Sequence, residues 1–231
     1  MPNRSLYPRV TTVLHEGFAE SGLETWAVKV AFKRYKELLD AGASHDDAYS
    51  EAKGESGRIM RDAARRGTAT HHMIEGRAAE ELTGLVEGDM PMVQVMYNSF
   101  LEWAKDRNFE PLANEVAVWS DKHGYKGTLD CIGNVDGVLT LLDWKTSNSL
   151  RLGYRLQLAA YWYAYKESQE NPLDTKLIRI VRFGGRSDKN TQVKDLVEYD
   201  ELIVDGEEEI SIDFNTFLAA KRVDDWKLKR K

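Results

Sequence analysis

Apolar residues recur at helical spacing through the first half of the chain and at strand-like spacing through the second. Over residues 23–41 (LETWAVKVAFKRYKELLDA), Trp26, Val30, Tyr35 and Leu38 follow a 3.6-residue period, which predicts an amphipathic helix. Ser44 and Asp47 form a capping pair for the next helix, which is expected to break near Gly54 or Gly57. Another helix is expected from about Gly67 to Leu82. A fourth, over 91–107 (PMVQVMYNSFLEWAKDR), opens with proline in its first turn, where a missing N–H costs little. The pattern changes after Pro111. Residues 115–119 (EVAVW), 127–133 (GTLDCIG) and 138–145 (VLTLLDWK) read as strands. Residues 151–168 (RLGYRLQLAAYWYAYKES) read as an aromatic-rich helix and 176–183 (KLIRIVRF) as a further strand. A hairpin near 193–204 and a last helix from about 213 complete the order. This order describes an α/β protein bordering on α+β, with a mixed central β-sheet flanked by helices. The expected layout is an N-terminal helical region, 1–110, and a sheet-bearing core, 111–231, packed as one compact unit.

Composition narrows the class. The chain has 231 residues, 42% of them hydrophobic, with six Trp and ten Tyr that need a packed interior, so it is not disordered. Cys131 is the only cysteine, which excludes an internal disulfide and a Cys-ligated zinc or iron–sulfur cluster. No run of about 18 apolar residues exists to span a membrane. The opening MPNRSLYPRV lacks the apolar stretch of a secretory signal. A soluble protein of a reducing cytoplasm is expected. The net charge of −6 is uneven. Glu55–Arg66 (ESGRIMRDAARR) holds four Arg, and the tail 221–231 holds six basic residues against two acidic, offset by an acidic stretch from Glu198 to Asp213. Such runs are ordinarily solvated surface. Read functionally, they are two basic patches that touch phosphates.

The most informative stretch is Gly127 to Lys145. Asp136-Gly137 between two apolar runs signals a two-residue hairpin turn. Taken literally, the turn pairs Val135 with Val138 and sets Asp130 opposite Asp143. Like charges about 5 Å apart across a ladder are destabilising, unless a cation lies between them. Such a pair suits Mg²⁺ or Mn²⁺, which prefer hard oxygen ligands. Residues two apart on a strand share a face, so Asp143 and Lys145 point together while Trp144 points into the core. Asp130, Asp143 and Lys145 thus form a plausible set for metal-assisted hydrolysis. An exposed sheet-edge pair is the plainer alternative.

GTLD, then LLDWKTS thirteen positions on, then QLAAY resembles the PD-(D/E)xK nuclease superfamily, in particular its RecB-type exonuclease branch. There a Gly-x-x-Asp precedes a strand ending Asp-x-Lys, and a helix carries Gln-x-x-x-Tyr. Here these are Gly127/Asp130, Asp143/Lys145 and Gln157/Tyr161. The branch's upstream Gly-x-x-x-His matches Gly67 and His71 in RGTATHHMIE. The N-terminal PRVTTVL, before a Trp-containing helix, also resembles stand-alone phage-type members. The likeness spans roughly residues 60–185, and four motifs in order are far more specific than any one. It implies a restriction-endonuclease-like core. It also implies Mg²⁺ or Mn²⁺ held by His71, Asp130, Asp143 and the main-chain carbonyl of Trp144, with Lys145 positioning the attacking water. The implied reaction is hydrolysis of DNA phosphodiester bonds by a metal-activated water, at free or single-stranded ends. A stand-alone enzyme of this kind either degrades accessible ends or borrows a recombination or replication partner protein for processivity.

Other residues join by position. Glu75 follows His71 by one helical turn, on the same face. Glu115 precedes the hairpin on its strand. An amide on a core face, as at Gln157, needs partners, and the resemblance places Gln157 and Tyr161 near the active site, supporting it or the DNA backbone. Arg61 and Arg65, just before Gly67, are candidates for phosphate contacts. No Cys cluster and no G-x-x-x-x-G-K-[ST] loop is present, so neither an iron–sulfur centre nor an ATP-driven motor is expected. The rival readings are a structure- or sequence-specific endonuclease on the same core, and a non-catalytic nucleic-acid-binding protein.

Overall fold

The structure, a computed structural model, describes residues 3–18, 22–77, 84–86, 88–184 and 198–230. Among the described residues, five strands form one mixed sheet in sequence order: β1 (Glu110–Ser120), β2 (Tyr125–Val135), β3 (Val138–Lys145), β4 (Leu177–Phe183) and β5 (Tyr199–Asp205). All neighbours are antiparallel except β3 and β4. A parallel step needs a crossover, and α6 (Leu152–Ser168) makes it. The remaining helices are α1 (Val10–Gly17), α2 (Leu23–Asp40), α3 (His45–Ala52), α4 (Glu55–Ile74), α5 (Asp89–Asp106) and α7 (Glu207–Leu228).

The period-2 alternation of β4 divides the core. Ile178 and Ile180 face a cluster built with α1, α6 and α7, including Val10, Leu158, Tyr161 and Phe217. Val181 and Phe183 face a second cluster with Val93, Phe100 and Trp103 of α5, together with Ala69 of α4. α6 buries Leu156 through Trp162, so it is apolar around most of its circumference, as suits a helix covered on several sides.

The expected mixed sheet flanked by helices is present. The first helix matches, and Ser44 caps α3 by accepting from the Asp47 N–H at 3.2 Å. The chain breaks at Lys53–Gly54 as expected. The expected helix start at Gly67 is incorrect: α4 runs unbroken from Glu55 to Ile74 with Gly67 buried in its middle. A mid-helix glycine costs about 1 kcal/mol relative to Ala, and the site described below shows what close approach it permits. The run does not reach Leu82 as a helix; it ends at Ile74, and residues 78–83 lie outside the described set. β1 extends back through Pro111, which an edge strand tolerates. The last helix begins at Glu207 rather than near 213, with three glutamates in its first turn, where the helix dipole favours them. Of the hairpin near 193–204 only the β5 side is described.

The Asp136-Gly137 turn has φ of +52° and +79°, both positive as a type I′ turn requires. It sets the expected register from Val135↔Val138 to Cys131↔Leu142. There the β2–β3 ladder stops, one pair short of Asp130 and Asp143, while β3 continues to pair with β4 through Lys145.

Candidate active site

The place where β2 leaves β3 organises everything around it. Beyond Leu142 the backbone of β3 has lost β2 as a neighbour, and the Trp144 N–H would go unpaired. Asp130 Oδ2 accepts it at 2.8 Å. The two aspartates are therefore not a ladder pair, which corrects the strict register expectation, yet they remain close. Burial first, and Asp143 second, raise the Asp130 carboxyl well above the usual carboxylate range. Asp143 is buried and likewise raised by desolvation, against the pull of Lys145. The Lys145 ammonium forms an ion pair with Asp143 Oδ2, so the two side chains do share a face. Burial opposes the charge on Lys145, but Asp143 and Asp130 outweigh it and raise its pKa. Trp144 points the other way, into the aromatic cluster of α5.

Helix α4 brings the imidazole. A Cβ on Gly67 would meet Thr146 Oγ1 at 2.8 Å, so glycine lets the helix lie against the residue that follows Lys145. One turn later His71 reaches the strand end. Its Nδ1 lies 3.8 Å from Asp130 Oδ2, and its ring hydrogen-bonds the main chain of Trp144. Burial, then the nearby Lys145, push His71 down to about 4, so the ring is neutral near pH 7 and keeps a lone pair to offer.

Helix α6 supplies the support from below. The Gln157 amide donates to Asp143 Oδ1 at 2.9 Å and lies 3.4 Å from the Tyr161 hydroxyl. A Cβ on Gly127 would lie 2.3 Å from Tyr161 Cε1. The glycine of the Gly-x-x-Asp motif and the tyrosine of Gln-x-x-x-Tyr are thus two halves of one contact.

These groups open onto a cleft of about 700 Å³ lined by His71, His72, Glu75, Glu115, Lys145 and Tyr154, among others. Glu115 has a left-handed φ of +52°. Desolvation, then the nearby Glu75, raise its pKa. Glu75 also pairs with Arg77 at 2.6 Å. Arg61 is exposed on α4, ahead of the cleft residues Ala63, Ala64 and Thr68. Arg65 is not available as expected: it is tied to Asp89 at 2.6 Å and Asp62 at 2.9 Å, clamping α4 to α5. The basic tail lies on α7, and none of its residues lines the cleft. Sequence reasoning missed Arg9, which lines the cleft from the start of α1, and gave Tyr154 no role. The Tyr154 ring carries the Lys145 ammonium 4.8 Å from its centroid. Arg9 had a signal in the motif PRVTTVL, but no pairing rule said where that segment would dock.

Among the described residues no three His, Cys, Asp or Glu side chains already close around one point as a finished metal cage. The donors nonetheless suit a hard divalent cation. Two buried carboxylates face a single ammonium, so negative charge is in excess, and a neutral imidazole and a strand-end main chain stand beside them.

A model of the PD-(D/E)XK nuclease superfamily matches residues 33–224, and the chain belongs to that superfamily. Similar solved structures include a phage-related exonuclease from Haemophilus somnus 129PT, 13% identical. It covers 97% of this chain and 96% of that one, at a TM-score of 0.42. The alkaline exonuclease LHK-Exo from Laribacter hongkongensis is 12% identical, with 90% and 96% covered and a TM-score of 0.36. No curated protein matches the chain. Among the described residues, no helix is long and apolar enough to cross a membrane.

Proposed function

We propose that the protein is a Mg²⁺- or Mn²⁺-dependent deoxyribonuclease, an exonuclease acting on free or single-stranded DNA ends. The observation that carries this reading is the meeting of Asp130, Asp143, Lys145, His71 and the Trp144 main chain where β2 splays from β3, with His71, Trp144 and Lys145 lining an open cleft. Asp130, Asp143, His71 and the Trp144 carbonyl would hold the cation, which when bound supplies positive charge to the phosphoryl group and makes water a stronger nucleophile. With the cation bound, Lys145 would hold the attacking water and offset charge developing on the phosphoryl oxygens. Gln157 fixes the orientation of Asp143, and Tyr161 holds Gln157 in place. Glu75 and Glu115 line the same cleft and add acidic character to its far wall. Arg61 extends the cleft wall with a cation for the substrate backbone. The order of the four motifs, resembling the RecB-type branch, supports action at ends.

The test is incubation with end-labelled linear and closed circular single-stranded DNA, in Mg²⁺, Mn²⁺ or EDTA. Metal-dependent loss of the linear strand alone is expected. Cleavage of the circle would make the enzyme an endonuclease, and cleavage in EDTA would remove the metal from the mechanism.

A further inference from the structure

Helix α2 is unusual in burying no residue at all. Trp26, Val30, Tyr35 and Leu38 are half-buried on its inner side, and the helix packs against α3 and α4. On its outer side Thr25, Val28, Lys29, Phe32, Lys33 and Lys36 each have another member three or four positions away, and all are exposed. That spacing makes one continuous stripe. Phe32 is 62% exposed and Val28 69%. No acidic residue falls on the stripe between Thr25 and Lys36. Lys33 has Glu37 at 3.7 Å, while neither Lys29 nor Lys36 forms an ion pair among the described residues.

We propose that this stripe is a binding surface for single-stranded nucleic acid, an inference that rests on the nuclease reading above. A row of three exposed lysines, one of them paired with Glu37, on a chain of net charge −6 suits a polyanion. A flat aromatic ring set between Lys29 and Lys33 offers a platform for an unpaired base, which a duplex cannot present. Membrane insertion fits poorly, because the two apolar side chains share the lysines' face instead of forming an opposite apolar face.

The experiment uses the full chain in EDTA with labelled oligothymidylates of about 16 and about 4 nucleotides, the shorter reporting the cleft alone. The variant Lys29→Gln/Lys33→Gln/Lys36→Gln should lower the dependence of log affinity on log salt by about 2 for the long strand, at roughly 0.7 for each phosphate that is no longer neutralised. Phe32→Ala should weaken the long strand roughly tenfold and leave a duplex unaffected. An unchanged salt slope in the triple variant, with wild-type binding and metal-dependent cleavage intact, overturns the binding surface and leaves the nuclease. A wild-type chain that neither binds nor cleaves DNA overturns both. Lysine-dependent binding to phosphatidylserine vesicles, with the DNA slope unchanged, would make the stripe a membrane contact and also overturn it. Circular dichroism checks that these surface variants fold.

Discussion

Gly127→Ala tests whether two separate motifs are one physical unit. The new methyl would sit 2.3 Å from Tyr161 Cε1 and 3.1 Å from Cδ1 and Cζ. No real carbon contact is so short, so the ring must move within a core where Tyr161 is 4% exposed. Overpacking of this kind costs about 1–3 kcal/mol. Gly127 lies within β2, where Ala is otherwise better than Gly by roughly 0.5–1 kcal/mol. The sign should therefore reverse when the ring is removed. Gly127→Ala destabilises the wild type, but in a Tyr161→Ala background it is neutral or stabilising. The intrinsic preference is common to both backgrounds and cancels, so the coupling between the two sites is the overpacking cost itself, about 1–3 kcal/mol, within the range for residues in contact. Urea unfolding of the four proteins measures it. An equal cost of Gly127→Ala in both backgrounds would refute the contact. A functional consequence follows along the same chain, because a displaced ring no longer holds Gln157, and Asp143 loses its fixed amide partner.

Asp143→Ala or Lys145→Ala should lower DNA cleavage by at least about a hundredfold while circular dichroism and DNA binding persist; an active Asp143→Ala protein would remove the proposed mechanism. Gly67→Ala should leave stability unchanged or raised, since Ala favours the helix and the atom it meets is a rotatable Thr146 hydroxyl, yet lower cleavage by shifting His71; measuring melting temperature and rate together checks both halves. Glu115 has a raised pKa in the folded chain, so its contribution to stability is present in acid and is lost as pH climbs through that raised value. Melting temperatures from about pH 4 to 7 should therefore show a decline attributable to Glu115 that Glu115→Gln flattens. Arg65→Ala should lower the melting temperature by freeing Asp89, with little change in the salt dependence of DNA binding, whereas Arg61→Ala should do the opposite.

Much of this site was legible because its chemistry is written in strand periodicity. The Asp136-Gly137 turn fixed the hairpin, alternation put Asp143 and Lys145 on one face, and the order of motifs brought in His71 and Gln157. What the sequence could not convey was the splay of β2 from β3, since register arithmetic assumes that a ladder continues. Nor did it distinguish Arg65 from Arg61, which differ only in whether an aspartate from another helix stands within reach. Gly67 misled as a helix start for a related reason. Glycine marks either an end or a close approach, and the neighbour that decides between them, Thr146, is nearly eighty positions away in sequence.

Trp144 gives the fold a hidden axis. Its indole is held by Phe100, Trp103, Phe109 and Phe183, with ring centroids 5.4–5.8 Å away. Its amide is held by Asp130, and its main chain lies against His71. A single residue therefore transmits the packing of α5 to the donors that face the cleft. Screens for inactive variants should recover substitutions at Phe100 and Trp103, on a helix that contributes no residue to the cleft. Such variants would behave as catalytic lesions, with weakened metal dependence, before they behave as unstable proteins.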